Sequence, residues 1–207
     1  MTTQTILNTF EAIEQRRSVK YYDKNHIMSE EEIHKLLSLA LLSPTSFNVQ
    51  HWRFVVIDRR DPDLRKSMRD AAFGQAQAED ASIVVVLCAS LNAWQNPKRY
   101  WHLAPQPVLD YMVPAITNCY KDNPELALSE AQRSCGIAGQ TIMLAAKAMG
   151  YDSCPMAGFD PDMVGDLIHV PEDHIVNMLI TVGKAAQPAR PRSGQLSYEE
   201  VVFRQRF

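Results

Sequence analysis

The chain has 207 residues, 46% of them hydrophobic and 22% charged, the balance of a globular domain with room for a core rather than of a disordered or fibrous chain. A net charge of -3 with no uniformly basic stretch argues against a nucleic-acid partner. No apolar run reaches the roughly 18 residues of a membrane helix, and residues 1–10 lack the charged-then-apolar layout of a secretory signal.

The four cysteines, Cys88, Cys119, Cys135 and Cys154, are spaced for neither a zinc site nor a disulfide framework. They are expected to be reduced, small buried hydrophobes in a cytoplasmic protein.

In chain order, residues 5–17 read as a short amphipathic helix, with Ile6, Leu7, Phe10, Ile13 and Glu14 at helical spacing. Ser29 followed by Glu32 is a capping box. It opens a helix through Ile33, Leu36, Leu37, Ala40 and Leu41 that should stop near Ser43, because Pro44 disfavours helix before it. Residues 53–58 form a strand, 63–73 a helix, and 82–89 a continuous β-branched run expected as a central strand. The stretch 94–120 mixes Trp94, Tyr100, Trp101, Tyr111 and Tyr120 with four prolines. It predicts a loop and then a helix from about Pro107, serving as packing, as a partner interface or as a substrate cover. Residues 130–149 predict the longest helix, with little polar face and Gly150 just past its end. A short helix over 161–168 and a strand over 176–182, closed by Gly183, follow. The tail 184–207 ends too apolar to be a frayed terminus and should pack on something. Helices with a few strands that do not strictly alternate indicate α+β. No G-x-G-x-x-G follows a strand, and no P-loop is present.

Two clusters carry the chemistry. Arg16, Arg17, Ser18 and Lys20 gather cations and a hydroxyl. They are either cations complementing the end of a helix or a clamp in which guanidinium forks match phosphate oxygens. Arg190 and Arg192 form a second basic pair. Pro44, Thr45, Ser46, Asn48 and Gln50 make a turn of neutral donors and acceptors suited to ring carbonyls and imides, or simply an ordinary turn. Pro155, Met156, Ala157 and Gly158 read as a tight, exposed loop whose amides could approach a flat ring. No Ser/His/Asp triad and no metal-binding spacing is present. The six histidines read mostly as surface or helix-end residues, and no catalytic side chain is named.

These patches, in this order, resemble the FMN-dependent nitroreductase family over nearly the whole chain: Arg16-Arg17-Ser18-x-Lys20, Ser43-Pro44-Thr45-Ser46-x-Asn48-x-Gln50-x-Trp52-x-Phe54, residues 81–89 as the middle strand, Pro155-x-x-Gly158-Phe159, and Gly183 through Arg190-x-Arg192. The resemblance implies one domain over 1–207 with an α+β fold: a central, mostly antiparallel sheet covered by helices on both sides, in an intertwined homodimer whose segment 184–207 crosses to the partner. It implies two FMN at the dimer interface. Arg16, Ser18, Arg190 and Arg192 would hold the phosphate and ribityl chain with Arg17 nearby, and Lys20 would sit at the pyrimidine edge. Pro44, Thr45, Ser46, Asn48 and Gln50 would come from one subunit and Pro155, Met156, Ala157 and Gly158 from the other, the Ala157 amide donating toward flavin N5.

Two departures stand out. Many relatives place an acidic residue where Ala157 stands. Some carry a lysine near position 77, where this chain has Gln77 preceded by Gln75, either of which could bond to the ring.

The activity implied is an NAD(P)H-dependent flavin oxidoreductase that reduces nitroaromatics, quinones or a similar small planar acceptor by ping-pong hydride transfer. The alternatives are the same flavin site acting on an enone, an aldehyde or free flavin, or a flavin-binding protein without turnover.

Overall fold

The run Ile83-Val84-Val85-Val86-Leu87-Cys88-Ala89-Ser90 is β-branched and apolar on both alternating sets, which suits a strand covered on both faces. The computed structural model, which describes residues 6–207, buries all eight of these residues at the centre of a four-stranded antiparallel sheet. Its strands are β1 (Trp52–Ile57), β2 (Ile83–Ser90), β3 (Asp152–Met156) and β4 (His174–Gly183), in the order β1-β2-β4-β3. The helices, in chain order, are α1 (Thr9–Gln15), α2 (Glu30–Ala40), α3 (Pro62–Ala71), α4 (Gln77–Asp80), α5 (Gln106–Tyr120), α6 (Pro124–Ala148), α7 (Pro161–Leu167) and α8 (Tyr198–Val201).

The sheet divides the interior into two cores. Ile83, Val85, Leu87 and Ala89 face a core shared with α2 and α6, while Val84, Val86 and Cys88 face a second core shared with α3 and α7. The helix α6 lies so close to the sheet that a Cβ on Gly139 would come within 3.0 Å of Met178 Sδ and 3.3 Å of Leu87 Cδ2. Gly183 is obligatory for a similar reason, since a Cβ there would meet the Ser82 backbone nitrogen at 2.9 Å.

Local signals set several boundaries. Ser29 caps α2 by accepting from the Glu32 amide at 3.2 Å, and Glu32 returns the bond at 2.9 Å. The other Glu32 oxygen accepts from the Tyr151 hydroxyl at 2.6 Å, tying the start of α2 to the chain just beyond α6. The left-handed Gly150 (φ 75°) ends α6. Arg65, 2% exposed, donates to the carbonyls of Ile57, Glu79 and Ala81 at 3.0, 2.7 and 2.6 Å. A buried guanidinium with three carbonyl acceptors is a staple joining β1, α3 and α4. Burial pushes it down to about 10, so it stays charged at neutral pH.

Five sequence expectations need correction. The first helix begins at Thr9, capped by Asn8, and ends at Gln15, while residue 5 lies outside the described residues. Its apolar positions Ile6, Phe10 and Ile13 are exposed rather than buried. The longest helix begins six residues earlier than the apolar pattern suggested, because Asn123 caps it and Pro124 stands in its first turn. Pro155 and Met156 are not loop residues but the end of edge strand β3. Finally, His51 is wholly buried, its Nδ1–H donating to the Ser90 carbonyl at 3.2 Å. Burial lowers its pKa, so the ring is neutral.

Candidate functional site

The segment after α1 docks on the outer edge of β3. Arg16, the C-cap residue of α1, leaves helical geometry, Ser18 forms a parallel bridge with Ser153, and the Val19 amide donates to the Ser153 carbonyl at 3.0 Å. Val19 is buried, which turns its neighbours Ser18 and Lys20 outward by strand alternation. The cations of this segment therefore project from a fixed backbone.

The Lys20 ammonium and the Arg16 guanidinium lie beside the Cys154 thiol; burial raises that thiol's pKa and the two cations oppose the rise. Arg192 returns from the tail and donates to the carbonyls of Arg16 and Glu14 at 3.2 and 3.3 Å. The result is a cleft of about 390 Å³ walled by Arg16, Arg17, Ser18, Arg190 and Arg192.

No carboxylate among the described residues pairs with Arg16, Arg17, Lys20, Arg190 or Arg192. One Arg17 guanidinium nitrogen is buried without a hydrogen-bond partner. A buried donor without an acceptor is the feature expected where a ligand supplies one. The donor set consists of guanidinium, ammonium and hydroxyl groups, and so fits an anion with several acceptor oxygens.

The α3–α4 turn brings two amides to the C-terminal end of β3, beyond Met156, whereas Ser18 docks near its start at Ser153. Phe73 and Gly74 are both left-handed (φ 55° and 76°), which reverses the chain after α3. Gln75 Nε2 then donates to the Gly158 carbonyl at 2.7 Å, and Gln77 Nε2 donates to Gln75 Oε1 at 2.9 Å. Ala157 and Gly158 are exposed, whereas Met156 and Phe159 on either side are buried. Arg16 through Lys20, Arg190, Arg192, Gln75, Gln77 and Met156 through Gly158 thus belong to one region, built around β3.

The turn 44–50 lies elsewhere. Phe47, Asn48 and Gln50 have φ of 50°, 54° and 52°, a left-handed backbone that costs a non-glycine residue of order 1–3 kcal/mol. The turn is held by its own polar groups: Thr45 Oγ1 accepts from the Gln50 amide at 2.9 Å, and Asn48 Oδ1 accepts from Gln50 Nε2 at 3.1 Å. The aromatic stretch holds it from below, with Trp101 Nε1 donating to the Phe47 carbonyl at 2.9 Å and Asn48 Nδ2 donating to the Tyr100 carbonyl at 3.0 Å. Tyr120 stacks on Trp94 and meets the rings of Phe47 and His51 edge-on. The two ends of the stretch, Trp94 to Trp101 and Ile116 to Tyr120, pack beneath the turn, whereas most of residues 102–111 between them is exposed.

The turn feeds β1, at the opposite edge of the sheet from β3. Three strand spacings separate these edges, about 14 Å. Met156 is level with Val55 through Leu179 and Val86, three residues short of Trp52. No hydrogen bond among the described residues joins the turn to the β3 region. The sequence-predicted residues therefore fall into two groups in a single chain.

Sequence reasoning did not identify the docking of Ser18 and Val19 on Ser153, the Gln75 bond to Gly158, or the Trp101 bond to Phe47. The first two join segments more than 80 residues apart and carry no local signal. Strand β3 was obscured by Pro155, which cannot donate to a ladder and so suggests a loop, yet is tolerated at an edge.

Comparison with known proteins agrees with this architecture. The sequence profile of the Nitroreductase family matches residues 13–184. Protein DrgA of Synechocystis is 48% identical over 184 residues, covering 88% of this chain and 87% of that protein. YodC of Bacillus subtilis, named provisionally as an NAD(P)H nitroreductase, is 32% identical over 200 residues, covering 94% and 97%. Among solved structures, an Exiguobacterium sibiricum protein assigned as a nitroreductase and crystallised with FMN is 31% identical. It superposes with a TM-score of 0.90 over 99% of this chain and 100% of that one. A family profile spanning most of the chain, an α+β fold shared with solved relatives and a carboxylate-free cationic cleft on β3 lead to one conclusion: this chain belongs to the nitroreductase family.

Proposed function

We propose that this protein is an FMN-dependent NAD(P)H oxidoreductase that reduces nitroaromatics, quinones or similar planar acceptors. The observation that carries the reading is the cluster of Arg16, Arg17, Lys20, Arg190 and Arg192, none paired with a carboxylate among the described residues. Arg16, Ser18, Arg190 and Arg192 would hold the phosphate and ribityl hydroxyls of FMN. Bound FMN supplies the hydride chemistry.

The protein's own groups bind, orient and polarise. Lys20 would place a cation where negative charge builds on reduction, and the Ala157 amide would offer a donor at the ring. Pro44, Thr45, Ser46, Asn48 and Gln50 would contribute neutral partners to the ring edge. No side chain acts as a catalytic acid. Nicotinamide and acceptor would use the same open slot in turn, which is ping-pong kinetics.

Because the turn and the β3 region stand at opposite sheet edges, we propose that a second copy of the chain completes each site. Two observations support a homodimer. A compact monomer of 23.4 kDa exposes roughly 9,700 Å², whereas this chain exposes 12640 Å². Beyond Pro188 nearly every residue is exposed, including Leu196, Tyr198, Val201, Val202, Phe203 and Phe207. The tail 184–207 would cross to the partner, so the domain 1–207 would be complete only in the pair. Four unpaired cysteines fit a reducing compartment such as the cytoplasm.

The purified protein should be yellow and should oxidise NADH or NADPH with nitrofurazone or menadione present. A colourless protein that FMN cannot reconstitute refutes the reading. Replacing Lys20 with alanine should slow anaerobic reduction by NAD(P)H more than it weakens FMN binding. A non-enzymatic flavin carrier would instead show an FMN spectrum that NAD(P)H never bleaches.

A further inference from the structure

The Gly158 carbonyl can only accept, so the group that Gln75 presents to it must be its NH2. The Gln75 oxygen therefore faces Gln77, which must in turn present its own NH2. One backbone carbonyl fixes the orientation of both carboxamides, an assignment that amide chemistry alone would leave open. Gln77 is 4% exposed, so the inner end of this chain is anchored in the interior, while the Gln75–Gly158 bond at its outer end is exposed. Its oxygen carries no hydrogen bond among the described residues. On the receiving side, the Asp160 amide donates to the Ala71 carbonyl at 2.8 Å and Phe159 is buried in the core against α3. The exposed pair Ala157–Gly158 is thus tied from both sides to the end of α3. Among the described residues the Ala157 amide makes no backbone hydrogen bond outside the strand ladder. Close packing makes the arrangement exacting: a Cβ added at Gly158 would sit 3.3 Å from Gln75 Nε2.

We infer that Gln75 is a positioning residue: its carboxamide clamps the Ala157–Gly158 peptide to the α3–α4 turn, holds the Ala157 amide in one direction and leaves Gln77 with its oxygen as the unbonded end of the pair. The role at a cofactor rests on the FMN reading above; the clamp itself does not. The polarity of the chain makes distinct demands on each substitution. Gln75→Ala removes the donor. Gln75→Glu opposes a carboxylate to the Gly158 carbonyl at neutral pH and regains a donor when protonated. Gln77→Lys keeps a donor toward Gln75, whereas Gln77→Glu does not.

The test has two arms. In apo-protein, hydrogen exchange of the Asp160 amide, bonded to the Ala71 carbonyl, should speed up about fivefold or more in Gln75→Ala, the loss of one neutral hydrogen bond, while exchange in β2 stays as in the wild type. In FMN titrations, Gln75→Ala should weaken binding by a similar factor at every pH. Gln75→Glu should weaken it at least as much at pH 8 and recover toward the wild type as the pH falls through the glutamic acid range, a recovery that a purely structural defect would not produce. Gln77→Lys should preserve slow exchange and Gln77→Glu should not. Wild-type exchange in Gln75→Ala and Gln75→Glu overturns the clamp. A wild-type protein that takes up no FMN overturns the cofactor reading and with it the clamp's role there, while the exchange arm still decides whether the clamp exists.

Discussion

Arg16, Arg17 and Lys20 reach the edge of β3 on an ordinary extended backbone anchored by one bridge to Ser153, and among the described residues their charged ends have no carboxylate partners. The turn 44–50 is the reverse: its backbone passes through three left-handed residues, and its polar groups are largely bonded to one another or to Tyr100 and Trp101. The first region stores unsatisfied charge on a relaxed frame, and the second stores conformational strain in a satisfied one. Charge acts over several ångströms and tolerates modest displacement. Directional bonds to a ring edge do not, which is a reason to hold the neutral groups in a costly but rigid shape.

The largest expected effect separates the two regions by stability. Arg65→Met leaves the carbonyls of Ile57, Glu79 and Ala81 without a donor, at about 1–3 kcal/mol each. Denaturant titration should show a loss of about 3 kcal/mol or more. Hydrogen exchange should rise in α4 and around Gln75 and Gln77, and remain unchanged at the turn 44–50. Equal loosening of both regions would show that they are not independently held.

Next in size, Arg192→Ala removes a cation from the cleft. Charged hydrogen bonds contribute about 1.5–3 kcal/mol, so FMN affinity should fall roughly 10- to 100-fold, while the bleaching rate of the FMN that still binds changes little. An effect on reduction alone would misplace Arg192.

Alkaline pH should loosen both regions together, because two buried thiols belong to the cores on the two faces of the sheet they share, Cys88 on β2 and Cys135 on α6. Burial pushes Cys88 up to about 11, and burial, with Cys88 next to it, pushes Cys135 up to about 12. Their folded pKa values exceed the unfolded value of 9.0. Stability is therefore intact below about pH 9 and declines as the pH rises toward 11–12, by roughly 1.4 kcal/mol per pH unit per thiol. Urea midpoints between pH 8 and 11 measure this, and Cys135→Ser should flatten the slope.

The smallest effect belongs to the turn. Trp101→Phe keeps an aromatic ring but removes the bond to the Phe47 carbonyl. About 1 kcal/mol, or fivefold in FMN affinity, should be lost, with less than half that change in global stability. No change in affinity would mean that the strain is held by Thr45 and Asn48 alone.

The sheet centre and the helix after Ser29 were legible because each rests on a local pattern, a β-branched run or a cap with its returning glutamate, whereas the Asn8 cap and its returning Glu11 went unread and the first helix was placed too early. The candidate residues were legible as types, since clustered arginines and a turn of amides and hydroxyls limit the chemistry that can occur there. Their division between two sheet edges was not legible, because strand order is set by long-range packing of β4 between β2 and β3. The amphipathic spacing of the first helix did not say what its apolar side, exposed here, would pack on, because a helix that packs on its own chain and one that packs on another have the same spacing. The tail, expected to pack on something, is exposed beyond Ala189, which shows only that its own chain does not cover it.

If, as proposed, a second copy completes each site, the placement of the turn and the cationic cleft at opposite edges of one sheet would make cofactor and subunit ligands of each other. In a dimer built on this chain, each copy brings half of the groups that hold FMN, so every bound FMN also binds two chains. By linkage, the factor by which FMN tightens the subunit contact equals the factor by which that contact tightens FMN. Retention of FMN on the protein should therefore depend on protein concentration, with dilution releasing oxidised flavin that passes a filter retaining the protein, and added FMN should lower the concentration at which monomers appear.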